Sequence, residues 1–269
     1  MKKVASYALF GNHVAHGTRQ FYWDHIPAAV RAHHNFYPDW ELRFHVDSTY
    51  HDDRSKLLRA YEKAGLIKVV HVEENIACCR SMLWRMLPVW DPEVSHVACR
   101  DLDSAPCPRD YKCLMQWVES GAAISVINDN YQHTVTMMGG MVGFRTDKFL
   151  AKCPWPSWIA MIEAHEGLHL PSGGYDQILM SNSIWNHYYP DVCAHRFAGM
   201  PQDGRLTACF DKVPEGPIEG LNPEMCRLAD TLMPYLGASS YEIPRACEIY
   251  DTHGNPEVRD RVVTAEQNA

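Results

Sequence analysis

Short apolar runs alternate with longer segments of helical periodicity over the first 150 residues of the chain. The apolar runs either alternate with polar residues or stay apolar throughout, which is typical of half-buried or buried strands. The segments between them repeat apolar residues every three to four positions, as amphipathic helices do. We predict strands at 3–10, 40–47, 67–73, 96–99, 122–129 and 137–145, and helices at 18–34, 52–65, 78–90 and 108–121.

Proline and glycine mark several boundaries of these elements. Pro27 interrupts or restarts the first helix, Gly65 closes the second, the third ends near Pro88, and Pro108 begins the fourth. The alternation of strands and helices predicts an α/β fold, with a mostly parallel sheet that carries helices on both faces. In such sheets ligands bind beyond the carboxyl ends of the strands.

The pattern changes after residue 150. Two more segments, 156–169 and 175–189, have helical periodicity, whereas 198–224 is rich in proline and glycine and has no clear period. The last segment, 254–269, is polar, and we expect it to be partly mobile. Because we find neither an internal repeat nor a long linker, we predict a single domain over 1–269.

Composition narrows the functional classes. The chain is 46% apolar and 22% charged with a formal net charge of −8, so a broad nonspecific nucleic-acid surface is disfavoured. Its longest apolar runs fall far short of the ~20 residues of a membrane-spanning helix, and the apolar stretch near the N-terminus is too short for a signal peptide. The ten cysteines are scattered without a CxxC pair. We therefore expect reduced thiols in a cytoplasmic protein.

Two aspartates follow the fourth predicted strand, at the edge of the sheet where ligands bind. Asp101 and Asp103, with one residue between them, repel each other unless a cation lies between them. A polar turn, with Asp103 or Ser104 capping the next segment, is one interpretation. The other is a site at which both carboxylates hold a divalent ion that neutralises a leaving diphosphate.

A second metal motif competes with this one. Residues 165–169 read HEGLH, a literal HExxH, in which His165 and His169 would bind zinc and Glu166 would be the base of a protease. Gly167 weakens a helix here, Pro171 stops it, and no third ligand follows at the usual spacing. We keep a zinc metalloprotease as an alternative and favour the polar end of a surface helix.

Three further segments contain residues suited to a binding site. Gly139 and Gly140 mark either a bulge or a place where the backbone approaches a sugar closely. Before them, Asp129 and His133 are able to hydrogen-bond hydroxyl groups. Asp176, the first residue of a predicted helix turn with Gln177 beside it, is either an N-cap or a catalytic group.

Arginines near the aspartates have two interpretations as well. Arg80 and Arg85 lie on the helix that precedes the strand ending in Asp101. Arginines on a surface helix are usually solvated, but beside a diphosphate either one could form a bidentate clamp.

Taken together, these segments resemble the GT-A-fold glycosyltransferases, and within them a microbial and viral group. The resemblance extends to about residue 197 and includes a family-8-like pattern, in which an arginine helix precedes a strand and a DxD motif. The shared pieces are SYALFGN, YPDW, WRMLPVWDPEVSHVACRDLDS, QHTVTMMGGMVG and YDQILMSNSIW. The resemblance implies a Rossmann-like nucleotide-binding half at 1–105, a sugar and acceptor half at 106–200, and a C-terminal segment at 201–269.

The resemblance also implies a role for each candidate residue. Asp101 and Asp103 match the metal motif for Mn²⁺ or Mg²⁺, and His195 or His253 is the candidate third ligand. Donor binding is expected from the first loop, Ala8, Phe10, Gly11 and Asn12, and from Arg85, Asp101, His133, Gly139 and Gly140. Asp176 and Gln177 match the pair near the reacting sugar carbon.

We therefore expect a metal-dependent glycosyltransferase that uses a nucleoside-diphosphate sugar, most plausibly a UDP-sugar. A saccharide or glycoconjugate is favoured as the hydroxyl acceptor over a hydroxymethylated base in viral DNA. Besides the zinc protease, a non-catalytic carbohydrate-binding module is a further alternative. The sequence leaves open whether the reaction inverts or retains the configuration of the sugar.

Overall fold

A computed structural model of the chain describes most of its residues. The described ranges are 1–10, 19–47, 53–73, 79–133, 135–165, 174–197, 200, 203–238 and 242–269. The strands are β1 Lys2–Leu9, β2 Trp40–Asp47, β3 Lys68–Val72, β4 Val94–Arg100, β5 Ile124–Asn128, β6 Met141–Arg145, β7 Val192–Arg196 and β8 Ala208–Phe210. The helices are α1 Arg19–Asp24, α2 Ile26–Phe36, α3 Asp53–Lys63, α4 Pro108–Ser120, α5 Thr146–Lys152, α6 Trp158–Glu163, α7 Tyr175–Leu179, α8 Asn186–Tyr188, α9 Pro223–Leu232, α10 Ile243–His253 and α11 Pro256–Gln267.

The eight strands form one sheet in the order β3-β2-β1-β4-β6-β5-β7-β8. Every pair of neighbours is parallel except those that include β6, which runs antiparallel to both β4 and β5. The predicted α/β class with a mostly parallel sheet is confirmed. The carboxyl ends of β1, β4 and β5 therefore open onto the same edge as the start of β6.

Helices cover both faces of the sheet because successive strand residues point to opposite sides. In β4, Val97 belongs to the apolar cluster that contains α5, α6 and the segment before β4, whereas Ala98 packs against α2, α4, α9 and α10. A further cluster places α3 and α11 against β1 and β2. The sheet is therefore buried on both sides, as expected for a parallel sheet.

Local signals set the limits of the elements as the sequence indicated. Pro27 lies in the first turn of α2, so the first predicted helix is two helices, with the second beginning at Ile26. Gly65 and Gly121 follow α3 and α4 in the left-handed region, at φ 67° and 68°. Pro108 is the first residue of α4.

Three predicted elements differ in the structure. The predicted helix at 78–90 is a 3₁₀ helix over Cys79–Trp90, and Pro88 lies inside it instead of ending it. The strand predicted at 137–145 begins only at Met141, because the Met141 N–H donates to the Met138 carbonyl at 2.9 Å and closes a turn before it. Met180–Trp185, inside the predicted helix at 175–189, is a π-helix.

The polar C-terminal segment forms a packed helix, so its predicted mobility is wrong. Val258, Val262 and Ala265 of α11 are buried against β1, β2 and α3. Glu266 accepts hydrogen bonds from Arg31 at 2.6 and 3.0 Å and from the Tyr61 hydroxyl at 2.6 Å. Strands β7 and β8 and helices α9 and α10 were not predicted from the sequence.

Within the described ranges, every helix is too short or too polar to cross a membrane. The cysteines whose side chains the structure describes are free thiols, many of them fully buried. Burial raises the pKa of Cys99 to about 12, so this thiol is an inert part of the core.

Candidate active site

The chain turns sharply after β4, where the two aspartates stand. The Ser104 N–H donates to the Asp101 carbonyl at 3.1 Å, so residues 101–104 form the polar turn that one interpretation expected. The N-cap position of α4 is Cys107, whose side chain makes no capping hydrogen bond, and not Asp103 or Ser104. The turn therefore does not account for the two carboxylates as caps of this helix.

Arg100, the last residue of β4, is engaged on a different side of the strand from the aspartates. Its guanidinium donates to both carboxylate oxygens of Asp110, at 3.0 and 2.8 Å, and the Tyr37 hydroxyl donates to the same carboxylate at 2.5 Å. All three side chains are buried. Arg100 therefore fixes α4 to the sheet, which is a structural role.

Arg85 joins Asp101 to Asp176, the two carboxylates that the sequence placed 75 residues apart. Its Nη1 donates to Asp101 Oδ1, and its Nη2 donates to Asp176 Oδ2 at 2.6 Å. Its Nε donates to the Met82 carbonyl at 2.9 Å, which fixes the plane of the guanidinium. Burial opposes the charge of Arg85, but the carboxylates of Asp101 and Asp176 raise its pKa above the ordinary value.

The Gly139–Gly140 backbone packs directly on this set of charged groups. A Cβ on Gly139 would overlap the Asp176 carboxylate and stand 2.9 Å from the Arg85 guanidinium, and a Cβ on Gly140 would overlap the Asp101 carboxylate. Neither glycine has a positive φ, so space is what excludes a side chain here. This geometry supports the interpretation that glycine allows a close backbone approach.

Asp103 lies beside this set and is nearly buried, whereas the Asp101 carboxylate is 44% exposed. Burial, and then the negative charge of Asp101, raises the pKa of Asp103 to about 7. A carboxylate whose negative charge is opposed by a neighbouring carboxylate suits a hard divalent cation, which prefers oxygen ligands. The donor chemistry of Asp101 and Asp103 therefore fits Mn²⁺ or Mg²⁺.

Asp176 is the most enclosed group of the site. Its side chain is 1% exposed, and among the described residues its Oδ1 has no hydrogen-bond partner. Burial raises its pKa, and Arg85 opposes that shift. A buried carboxylate oxygen without a donor is costly, so Oδ1 is an unsatisfied hydrogen-bond acceptor at the enclosed end of the site. Gln177 is half-buried beside it at the start of α7.

The loop after β5 contains two candidates for binding hydroxyl groups, Asp129 and His133, and they differ in their contacts. Asp129 Oδ2 accepts from the Leu236 N–H at 2.8 Å and lies 3.5 Å from Arg109, so this oxygen is engaged in holding the C-terminal segment. His133 is 95% buried, and its Nδ1 has no partner among the described residues. Burial lowers the pKa of His133, so the ring is neutral. His133, unlike that oxygen of Asp129, keeps a free polar atom.

Neither candidate for the third metal ligand is grouped with the aspartates. His195 lies on β7, where its Nε2 is 2.8 Å from Gln116 Oε1 and its ring stacks on Phe210 at 4.7 Å. His253 is the last residue of α10. Among the described residues, no three His, Cys, Asp or Glu side chains are grouped as metal ligands. The role of both histidines stays a prediction.

The first loop is described only in part. Ala8 and Phe10 lie at the carboxyl end of β1 and are half-buried, and the Phe10 ring packs edge-on against Trp84 at 6.0 Å. Gly11 and Asn12 lie outside the described residues. Because β1 is the parallel neighbour of β4, Ala8 and Phe10 are at the same edge of the sheet as Asp101.

The HExxH interpretation can be examined at its first residue. The His165 Nδ1 donates to the Met161 carbonyl at 2.6 Å, and its Nε2 is 2.5 Å from the Ser183 hydroxyl. Both ring nitrogens are thus engaged at the polar end of a helix, as the favoured interpretation expected. Glu166 and His169 lie outside the described residues. Arg80 is described only in its backbone.

Sequence reasoning missed two parts of this site. Tyr22 of α1 is near the aspartates: burial, followed by the negative charges of Asp103 and Asp101, raises the pKa of its phenol to about 12. The segment after α9 also reaches the site, because the Gly237 N–H donates to Ser104 Oγ at 3.1 Å. The sequence had no signal for the second contact, which joins residues 133 positions apart.

No protein-family model matches the chain. No curated protein matches it either. Among solved structures, the chain is similar to the mannosyltransferase PcManGT from Pyrobaculum calidifontis in complex with GDP-Man and Mn2+. That match covers 98% of this chain and 73% of the other, with 13% sequence identity and a TM-score of 0.42.

Proposed function

We propose that this protein transfers a sugar from a nucleoside-diphosphate sugar to a hydroxyl acceptor, with Mn²⁺ or Mg²⁺ as cofactor. The observation that supports this most strongly is the link that Arg85 makes between Asp101 and Asp176 under the Gly139–Gly140 backbone. Metal-type carboxylates, a fixed guanidinium and a buried carboxylate with a free oxygen thereby share one site. That site is at the edge of the sheet where α/β proteins bind ligands.

The reaction exchanges one bond at the donor sugar. The acceptor hydroxyl oxygen forms a bond to the anomeric carbon, the bond from that carbon to the diphosphate breaks, and the nucleoside diphosphate leaves with the electron pair. Asp101 and Asp103 would hold the divalent cation, which when bound would supply positive charge to offset the charge of the departing diphosphate. The proton of the acceptor hydroxyl passes to a basic group or to water.

The residues of the chain supply the rest. Arg85 brings a permanent positive charge next to the metal-type carboxylates, which favours the negative charge of the diphosphate, while its N–H groups hold Asp101 and Asp176 in place. The Gly139–Gly140 backbone and His133 line the sugar pocket, and Ala8 and Phe10 form part of the surface for the nucleotide. Asp176 lies near the anomeric carbon, where its free Oδ1 is either the base for the acceptor or the group that stabilises positive charge on the sugar.

Donor binding is the property that tests this function most directly. We expect a UDP-sugar to raise the melting temperature only with Mn²⁺ or Mg²⁺, because a ligand of the native state stabilises it by mass action. GDP-Man, the donor named for the solved mannosyltransferase, is included in the panel with ADP- and CMP-sugars. The absence of any shift with every nucleotide sugar, in the presence of metal, would contradict the function.

Two variants separate the two metal motifs. Asp103→Ala is expected to abolish hydrolysis of the donor or transfer from it, because it removes a metal ligand. His165→Ala is expected to leave both nearly intact, because His165 bonds to Met161 and Ser183 and not to the site. Stoichiometric zinc in the purified protein, lost together with activity in His165→Ala, would instead support a metalloprotease.

A further inference from the structure

A pocket of about 540 Å³ is lined in part by Arg109, which also contacts Asp129 in the loop after β5. Its size falls within the range of about 300–1,000 Å³ that small-molecule sites have. It is bordered by the start of α4, by α9 and by the loop before α9. Its walls include Arg109, Glu215, Pro217, Pro223, Arg227 and Asp230.

The cations around this pocket are already paired with acceptors of the chain. Arg109 Nε lies 3.3 Å from Asp230 Oδ1, and Arg227 pairs with Glu224 at 2.6 Å. Lys112 donates to the backbone carbonyls of Glu215 and Gly216, at 2.5 and 2.8 Å. The pocket therefore offers planar polar groups and proline faces without a net positive charge. Nucleic acid requires such charge for its phosphates.

An aromatic rim, formed by Tyr131 and Tyr235, lies on the two chain segments that contact Arg109 through Asp129 and the Met233 carbonyl. Tyr131 is 70% exposed, the largest exposure of any aromatic side chain among the described residues. Gln132 Nε2 donates to the Tyr131 hydroxyl, and the Tyr235 hydroxyl donates to Gln132 Oε1, each at 3.4 Å. The Tyr235 ring packs edge-on against His133 at 5.3 Å. The rim therefore ends at His133, whose Nδ1 has no partner among the described residues.

The rim and the pocket are joined to the active site by hydrogen bonds and ion pairs. Arg109 contacts Asp129, and Asp129 accepts from the Leu236 N–H at 2.8 Å. The next residue, Gly237, donates to Ser104 in the turn that follows β4. These contacts fix the segments that carry the rim relative to both the pocket, through Arg109, and the turn after β4, through Gly237.

We propose that the aromatic rim and the pocket bind a neutral saccharide, which is the acceptor of the transfer reaction. The exposed aromatic rim suits the apolar C–H face of a pyranose ring, since tyrosine combines an apolar face with a polar tip. The guanidinium and carboxylate groups suit pairs of neighbouring hydroxyls, which need donors and acceptors in one plane. The role of this saccharide as acceptor rests on the proposed function, whereas saccharide binding itself does not.

Binding is measured on the full chain without nucleotide, in EDTA, against an array of immobilised neutral oligosaccharides. Heparin oligosaccharides and duplex DNA with hydroxymethylcytosine are the anionic arms. We expect at least one neutral oligosaccharide to bind, and its affinity in solution to fall about tenfold, about 1.4 kcal/mol, in Tyr131→Ala. Tyr131→Phe, which keeps the ring, is expected to bind nearly as the wild type does.

A second pair of variants tests the pocket with a matched control. Arg227→Ala removes an exposed arginine of the pocket and is expected to weaken binding several-fold, whereas Arg259→Ala, an exposed and paired arginine on α11, is not. The proposal is overturned if no neutral oligosaccharide binds, if an anionic probe binds instead, or if neither Tyr131→Ala nor Arg227→Ala weakens binding.

The same measurements separate this proposal from the proposed function. Asp103→Asn is expected to lose metal-dependent donor binding and to retain the oligosaccharide. A wild-type protein that binds neutral oligosaccharides but no nucleotide sugar would be a carbohydrate-binding module, so the transferase would fail and the saccharide site would stand. If the protein binds a nucleotide sugar but no neutral oligosaccharide, the saccharide site would fail and the proposed function would stand.

Discussion

Gly140 and Asp101 stand so close that the carboxylate of Asp101 occupies the space in which any other residue at position 140 would carry its Cβ. The clash extends along the aspartate, since that Cβ would also lie 3.1 Å from the Asp101 Cβ. A small movement of the carboxylate does not relieve it, because the same carboxylate is held by Arg85. Glycine at position 140 therefore permits the rotamer in which Asp101 bonds to Arg85.

Gly140→Ala tests this relationship. The methyl group forces Asp101 to rotate, so we expect the affinity for Mn²⁺ to fall by about tenfold or more, which corresponds to about 1.4 kcal/mol. The signal of free Mn²⁺ in electron paramagnetic resonance measures this affinity without any activity assay. Gly204→Ala is the control, because a Cβ at Gly204 would meet none of the described residues within 4 Å. Equal affinities in the two variants would show that Asp101 does not depend on Gly140.

Removal of Arg85 is expected to lower the free energy of unfolding, because the buried Asp176 carboxylate loses its cation. Arg85→Ala leaves this carboxylate without its cation in a site that is 1% exposed, and breaking a buried pair in this way costs about 3–5 kcal/mol. Addition of Asp176→Asn removes the charge, so the double variant should regain about 1 kcal/mol or more. The measurement is urea unfolding in EDTA.

Arg259→Ala provides the matched comparison for this cycle. Arg259 pairs with Asp260 on the surface of α11, where solvent screens the charges, and we expect little change in stability. If Asp176→Asn destabilises the Arg85→Ala background further, Asp176 is not a charged partner of Arg85 but a packing element, and its role as a catalytic carboxylate loses its support.

Part of the site could be predicted because Asp101 and Asp103 come directly after a predicted strand. Asp101 was placed at the sheet edge by the apolar run before it, and the structure joins it to two other candidates, Arg85 and Asp176. Their grouping could not be derived from any one segment, since Asp176 is 91 positions from Arg85. We expected these residues to share one site only because the order of the motifs resembles that of GT-A glycosyltransferases.

The C-terminal third was less predictable for a physical reason. Its contribution to the site comes from backbone N–H groups, those of Leu236 and Gly237, which bond to Asp129 and Ser104. Every residue except proline has a backbone N–H, so the sequence does not show which of these groups donates to the site. The 3₁₀ helix over Cys79–Trp90 could not be predicted either, because its apolar spacing resembles that of an α-helix.

Acid is expected to destabilise the protein through its buried histidines, of which His33 is the clearest. Burial lowers the pKa of His33 to about 3, and its Nδ1 has no partner among the described residues. Below the ordinary pKa of about 6.5, the unfolded chain binds a proton at this site and the folded chain does not. The free energy of unfolding therefore falls as the pH falls from 6.5 towards 3, by up to about 1.4 kcal/mol per unit for this group.

His33→Gln removes this contribution to the pH dependence, whatever it does to stability at neutral pH. We expect the slope of the free energy of unfolding between pH 6.5 and 4 to be smaller in the variant than in the wild type. His71→Gln, at an exposed position on β3, is the control and should leave the slope unchanged. Identical slopes in His33→Gln and the wild type would mean that His33 is protonated in the folded protein.

The C-terminal helix offers the sharpest contrast between the pattern of the sequence and the packing of the fold. The side chain of Arg31 is 5% exposed, and its charge is matched by Glu266 and by Asp251, which accepts from its Nε at 2.7 Å. Glu266→Ala removes the larger share of this pairing and the acceptor of the Tyr61 hydroxyl, so we expect a loss of about 2–3 kcal/mol in the free energy of unfolding. The exposed neighbour Gln267→Ala should have little effect. Hydrogen exchange provides the second measurement, because α11 amides should be protected in the wild type and exchange faster in Glu266→Ala. Equally fast exchange in both proteins would favour the mobile tail that the polar sequence suggested.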